Sequence, residues 1–188
     1  MSSHHIVREN QEPALFIGDP HLLADDYVNQ LLERSPTIIT LSFHYETLKS
    51  RGIKIDVLLN SEELIREELE ENLVVIPYWE DYLAVLFQYL KERKNYAVNL
   101  IMDQIGCKDL LPYLPDFTVN VFNGSYKLIF IKQYDKWLPE GYQLWIPDSE
   151  SLRISNVRWI TESLFEFESD GFVKIAPLSD YIMLGEEL

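Results

Sequence analysis

Apolar residues fall along the first hundred or so positions in short runs that alternate with amphipathic stretches. Ala-Leu-Phe-Ile-Gly at 14–18, Thr-Ile-Ile-Thr-Leu at 37–41, Ile-Asp-Val-Leu-Leu at 55–59, Leu-Val-Val-Ile at 73–76 and Tyr-Ala-Val-Asn-Leu-Ile-Met at 96–102 are rich in Val and Ile, the profile of buried strands. Between them, residues 22–32 place Leu22, Leu23, Tyr27, Leu31 and Leu32 at helical spacing, and residues 45–50 predict a short helix ending near Gly52. Residues 61–71 read as a glutamate-rich helix that Ser61 can cap, with Leu64, Ile65 and Leu69 as its apolar stripe. Residues 81–91 form a strongly apolar helical segment. Nearly continuous apolar strands linked through helices predict a parallel sheet covered on both faces.

The pattern changes near residue 112. The runs at 118–122, 126–131, 142–146, 152–154, 164–168, 172–175 and 180–184 are short, partly alternating and separated by turn residues. Asn123-Gly124 is a two-residue hairpin signal, and Ser169-Asp170-Gly171 offers a second turn with a residue suited to positive φ. This half predicts a small antiparallel sandwich or barrel. Pro112 and Pro115 mark the join without a long linker. The expected organisation is a Rossmann-like, three-layer α/β domain over residues 1–111 followed by a small all-β sandwich domain over 112–188.

Charge narrows the functional classes. The 188 residues include 31 Asp and Glu against 16 Lys and Arg, a net charge of −15. A surface that neutralises nucleic-acid phosphates, or docks on anionic lipid, needs the opposite sign, so neither partner is expected. Cys107 is the single cysteine and cannot form an internal disulfide. No apolar run is long enough to span a bilayer and no signal-peptide core is present, so the cytoplasm is the expected location. His4 and His5 read as a solvated N-terminus. The seven glycines form neither a Walker loop nor a dinucleotide fingerprint, and no nucleophile elbow surrounds Ser42 beside His44.

The order of three fragments carries more information. Ser-Phe-His-Tyr-Glu-Thr-Leu at 42–48, Gly-Ile-Lys-Ile-Asp-Val-Leu-Leu-Asn-Ser-Glu-Glu-Leu at 52–64, and Ile-Pro-Tyr-Trp-Glu-Asp-Tyr followed by an apolar helix at 76–90 resemble the thiamine pyrophosphokinase family. There, a strand ends in Asp-x-Gly, a Gly-Ile-x-Pro-Asp turn feeds a strand ending in Gly-Asp-Phe-Asp-Ser, and an Asp-x-Thr-Asp motif opens a later helix. Val157-Arg158-Trp159 is similar to the family's Gly-Leu-x-Trp segment, and Lys136-Trp137-Leu138-Pro139 precedes strands of the expected sandwich. The resemblance implies a homodimer that transfers pyrophosphate from ATP to thiamine, giving thiamine diphosphate and AMP. It also implies carboxylates that hold Mg2+ and the ATP phosphates, hard oxygen ligands that offset transition-state charge. Trp159 would lie by the thiamine pocket at the dimer interface, where its ring could stack on the substrate. Trp137, Trp145 and Trp159 read equally as packing aromatics of a small β domain.

The charged positions depart from the family pattern. Its first aspartate and glycine fall on Ser42 and His44. The second motif falls on Asn60, Ser61, Glu63 and Leu64, so only Glu63 keeps a carboxylate. In the third, the aspartates fall on Trp79 and Tyr82, with Asp81 at the threonine position. The glycine-rich segment expected after the fifth strand is shortened to Asp-Gln-Ile-Gly-Cys-Lys-Asp at 103–109. These departures predict a catalytically impaired or inactive pseudoenzyme with a residual binding or regulatory role, for thiamine, a nucleotide or a protein partner, and with no cofactor. The alternative is an active enzyme using Mg2+, ATP and a rearranged carboxylate set. Its catalytic candidates are Glu63, Glu80 and Asp81, with Glu63 and Asp103 as metal ligands. Each of these carboxylates also reads as a helix cap or a solvated loop residue.

Overall fold

The computed structural model of the chain describes residues 12–35, 37–61, 69, 72–147, 154, 156–175 and 181–188. Two compact units are present, one within Met1–Met102 with Asp116–Thr118, the other within Asp103–Pro115 with Val119–Leu188.

The first unit contains β1 (Ala14–Ile17), α1 (Asp25–Leu32), β2 (Ile38–Leu41), α2 (Tyr45–Ser50), β3 (Val57–Asn60), β4 (Val74–Pro77), α3 (Tyr82–Glu92) and β5 (Ala97–Ile101). The strands form a parallel sheet in the order β5-β1-β2-β3-β4. Because β1, β2 and most of β3 are buried, their sequences show no polar alternation. Leu15, Phe16, Ile39, Leu58, Leu86 and Leu100 anchor this core. Polar side chains tie the strand ends together: Asp56 Oδ2 accepts from the Ile38 amide at 2.8 Å, and Asn95 Nδ2 donates to the Glu12 carbonyl at 3.3 Å. Phe87 meets Phe117 edge-on with ring centroids 4.9 Å apart.

Helix α1 begins later than its apolar spacing predicts. The Tyr27 and Val28 amides both donate to the Ala24 carbonyl, which makes Ala24 the first acceptor of the helix. Leu22 and Leu23 therefore belong to the preceding loop, and Leu23 is nonetheless buried. The predicted glutamate-rich helix lies mostly outside the described residues.

The second unit contains α4 (Cys107–Leu110), a single short turn of helix, and an antiparallel sheet in the order β10-β11-β9-β13-β7-β6. The strands are β6 (Thr118–Phe122), β7 (Tyr126–Ile131), β9 (Gln143–Trp145), β10 (Val157–Trp159), β11 (Leu164–Phe167) and β13 (Ile182–Glu187). A separate ribbon pairs β8 (Tyr134–Leu138) with β12 (Gly171–Ile175). Tyr134, Leu138, Val173 and Ile175 of the ribbon share one buried cluster with Leu144, Phe165, Phe167, Ile182 and Leu184 of the larger sheet. Two sheets closing on a shared apolar layer make this unit a sandwich, as expected.

Several details differ from the sequence pattern. Positive φ occurs at Gly124 and not at Asn123, and the Asn123 amide donates to the Tyr126 carbonyl, so the β6–β7 hairpin turns on Gly124-Ser125. Asn123 instead steadies the turn by accepting from the Ser125 and Tyr126 amides through its side chain. Gly171 opens β12 without positive φ, and it is Asn156 that adopts the left-handed conformation, at φ 62°. Strands β8 and β10 were not anticipated as strands. Among the described residues, no helix is long and apolar enough to cross a membrane.

Leu58 lies fully buried in β3, between β2 and β4. Leu58→Ala is expected to lower folding stability by about 2–5 kcal/mol in urea unfolding. A loss under about 1 kcal/mol would contradict its place in the core.

Candidate functional site

Strands β1 to β4 follow one another across the sheet, and the chain then crosses to the far side of β1 to add β5. The strand order reverses beside β1, and ligands of open α/β sheets sit in the crevice outside the carboxyl ends at such a point. Here that crevice is stitched shut by backbone. The Gly18 and Asp19 amides both donate to the Ile101 carbonyl, at 2.9 and 3.1 Å. A Cβ on Gly18 would stand 3.0 Å from Phe16 Cε1 and 3.2 Å from that same carbonyl oxygen, so the close approach favours glycine. The next free amide, that of His21, donates to Asp19 Oδ1 at 2.8 Å.

Two further residues hold the same loop. The 3-10 turn Ser42–His44 follows β2 and brings His44 Nε2 to 2.8 Å from the Gly18 carbonyl, to which it donates. The Arg51 guanidinium, just past α2, donates to the Pro20 carbonyl and pairs with Asp25. Beneath them, the buried Thr40 hydroxyl donates to the Ile17 carbonyl at 2.7 Å. Partial burial lowers the His44 pKa below the ordinary histidine value, against the opposing pull of the Gly18 carbonyl and Asp19, and with a smaller push from His21.

The neighbouring strand ends carry little negative charge at the positions where the family motifs have it. Ser42 opens the 3-10 turn and Asn60 closes β3. Tyr82, in the first turn of α3, stacks on Phe16 with centroids 5.7 Å apart and meets Tyr78 edge-on at 6.0 Å. It serves the apolar core. Trp79 projects into solvent with 91% of its surface exposed.

Of the carboxylates singled out in the sequence, Glu80 is exposed on the loop after β4. Asp81 accepts from the Ala84 amide at 3.0 Å and caps α3. Asp103 is exposed and belongs to the second unit, and Glu63 lies outside the described residues. Among the described residues, no group of three or more His, Cys, Asp or Glu side chains could hold a metal ion. Sequence reading missed Arg51 as the residue that secures the Gly18–Pro20 loop, because its partners lie 26 and 31 positions away and leave no local pattern. Thr40 did carry a signal, as a hydroxyl inside an otherwise apolar strand.

In the second unit, Trp159 sits on the outermost strand β10 with 60% of its surface exposed, its ring 4.5 Å from that of Phe165. Arg158 beside it pairs with Glu166. Hydrogen bonds from Gln143 and Arg158 hold the Glu166 carboxyl below the usual range. A hollow of about 590 Å³ opens between Gly141, Tyr142, Gln143, Glu187 and Leu188. Glu186 accepts from Lys136 at 2.9 Å and from Tyr134 at 3.5 Å, and burial pushes the Tyr134 phenol well above its usual pKa.

The cap and the histidine each generate a test. Asp81→Ala is expected to cost about 0.5–2 kcal/mol in thermal or urea unfolding, with Asp81→Asn close to neutral, since asparagine caps as well as aspartate. A large loss in Asp81→Asn would point to a need for the charge itself. For His44, the lowered native pKa sets the sign. Above the ordinary histidine value the ring is neutral in both folded and unfolded chains. As the pH falls through that value the unfolded chain takes up the proton first, so stability declines until the pH passes the lowered native value. The urea midpoint is therefore expected to drop as the pH falls through the ordinary histidine value of about 6.5, and to drop less in His44→Gln. Equal drops in both proteins would refute this assignment.

No protein-family model matches the chain, and no curated protein sequence matches it. Solved structures do. A probable thiamine pyrophosphokinase from Staphylococcus saprophyticus superposes with a TM-score of 0.63 at 12% identity, covering 93% of this chain and 98% of its own. Thiamin pyrophosphokinase from Geobacillus thermodenitrificans gives 0.63 at 13%, covering 93% and 96%. The Candida albicans enzyme gives 0.57 at 11%, covering 94% and 90%. With an α/β unit and a β sandwich matched together over nearly the whole of both chains, this protein has the fold of the thiamine pyrophosphokinases.

Proposed function

We propose that this chain is a thiamine pyrophosphokinase-like protein in which pyrophosphate transfer has been lost and a binding or regulatory role retained. One observation carries the reading: the strand ends that would need carboxylates hold Ser42, Ser61, Trp79 and Tyr82, and Tyr82 is packed on Phe16. Magnesium gives up its water reluctantly and is held by carboxylates together with substrate phosphates. Among the described residues, the donors at these strand ends do not suit it. Asp81 is engaged as a helix cap, and the Gly18, Asp19 and His21 amides of the loop after β1 already donate within the protein.

A retained role needs a ligand or a partner. Trp159, exposed beside Phe165, is the substrate-side candidate for stacking on a ring such as that of thiamine. Homodimer formation is part of the same proposal, and it would cover exposed apolar surface of this kind.

The deciding experiment incubates purified protein with ATP, magnesium and thiamine and quantifies AMP and thiamine diphosphate. Neither product is expected above a protein-free blank. Magnesium-dependent formation of both, abolished by Glu63→Ala, would overturn the proposal and establish an enzyme with a rearranged carboxylate set.

A further inference from the structure

Asn123-Gly124 is the only Asn-Gly step in the chain, and the fold sets it in the turn between β6 and β7, with Asn123 half-buried and Gly124 and Ser125 exposed to water. The carboxamide carbon of an asparagine can be attacked by the amide nitrogen of the next residue, because the product is a five-membered ring. A side chain on that next residue hinders the approach, and glycine has none. The new bond joins Gly124 N to Asn123 Cγ; the bond broken is Cγ–Nδ2, and ammonia leaves with the proton given up by the Gly124 amide. Water then opens the cyclic imide at one of its two carbonyl carbons. Opening at Cγ leaves aspartate at position 123. Opening at the main-chain carbonyl leaves isoaspartate, whose backbone runs through Cβ and Cγ and is one atom longer.

In the folded chain this carboxamide is already engaged. Asn123 Oδ1 accepts from the Tyr126 amide at 2.8 Å and from the Ser125 amide at 3.3 Å, while the Asn123 amide donates to the Tyr126 carbonyl at 3.1 Å. Donors approach a carbonyl oxygen near the plane of its group, so the two bonds fix the orientation of the carboxamide. Turning its face toward the Gly124 nitrogen means giving both of them up. Behind the turn, Phe122 pairs with Lys127 and Val121 with Leu128, and β7 is paired along its other side with β13, which keeps the hairpin closed. An opposite effect is also present, since two donors on Oδ1 would stabilise the negative charge that attack places on that oxygen. Orientation outweighs it, because charge develops only after the nitrogen has reached Cγ.

We infer that Asn123 is a site of spontaneous covalent modification, converted to aspartate and isoaspartate through attack by the Gly124 nitrogen, and that the folded turn holds this reaction back until the hairpin opens. The two products differ in consequence. Aspartate keeps an oxygen for the Ser125 and Tyr126 amides and so preserves the turn. Isoaspartate shifts Gly124 by one backbone atom and strains the register of Phe122 with Lys127. The inference is independent of whether pyrophosphate transfer has been lost.

The test incubates the full chain at mildly alkaline pH, folded in buffer or unfolded in guanidinium chloride, and samples it over time. Trypsin releases the peptide from Asp109 to Lys127, in which tandem mass spectrometry locates the mass gained when an amide becomes an acid, and chromatography separates the aspartate from the isoaspartate form. Conversion at Asn123 is expected to be about tenfold slower in the folded chain, the combined effect of two hydrogen bonds of ordinary net strength. Asn120 lies in the same peptide and precedes Val121, so in the unfolded chain it is expected to convert more slowly than Asn123. Asn123→Asp is expected to keep the denaturation midpoint of the original chain, whereas material enriched in isoaspartate is expected to fall below it. Conversion as fast in the folded chain as in the unfolded one, or faster, would overturn the inference and show that the two amides activate the carboxamide. Faster conversion of Asn120 than of Asn123 in the unfolded chain, or a large fall in midpoint for Asn123→Asp, would overturn it as well.

Discussion

Strand β1 is paired on both edges, buried on both faces, and followed at once by a turn in which a side chain at Gly18 would crowd Phe16 and the Ile101 carbonyl. The loop behind it is consequently anchored from three directions: to β5 through the Ile101 carbonyl, to the turn after β2 through His44, and to the end of α2 through Arg51. Each anchor spends a polar group that an open α/β sheet could otherwise offer to a ligand. The rigidity of the switch point and its lack of free donors thus have one origin, because a backbone amide that already donates to a neighbouring strand is a poor partner for an anion.

The same economy extends to the aromatic residues. Phe16 must cover the end of the core, and Tyr82 completes that cover from the first turn of α3. A carboxylate at position 82 would replace a ring stacked on a fully buried phenylalanine with a charge that needs solvation or a counter-ion. An acidic side chain at position 82 would therefore open a gap in the packing against Phe16.

Much of this was legible in the sequence, for identifiable reasons. The parallel strands stood out because burial on both faces gives unbroken Val, Ile and Leu runs, and α2 stood out because Gly52 ends it at positive φ. Strand β8 was hidden because Asp135, Lys136 and Trp137 are all exposed, so its interior shows no apolar alternation. Strand β10 was hidden because three residues carry no period. At the site, the departures of Ser42, Trp79 and Tyr82 from the resembled motifs could be read in the sequence, and so could Asp81 as a cap. The contacts from His44 and Arg51 to the Gly18–Pro20 loop could not, since a side chain reaching a distant carbonyl leaves no spacing rule behind.

Strand β4 is the outermost strand of its sheet, and its last residue is Pro77, which has no amide hydrogen to offer. In the antiparallel sheet of the second unit, β10 is an outermost strand of only three residues and carries Arg158 at its centre. Both outer strands are thus poor templates for an incoming chain, the first for want of a donor and the second for want of length and because of its charge. Addition of a further strand is therefore disfavoured at β4 and at β10.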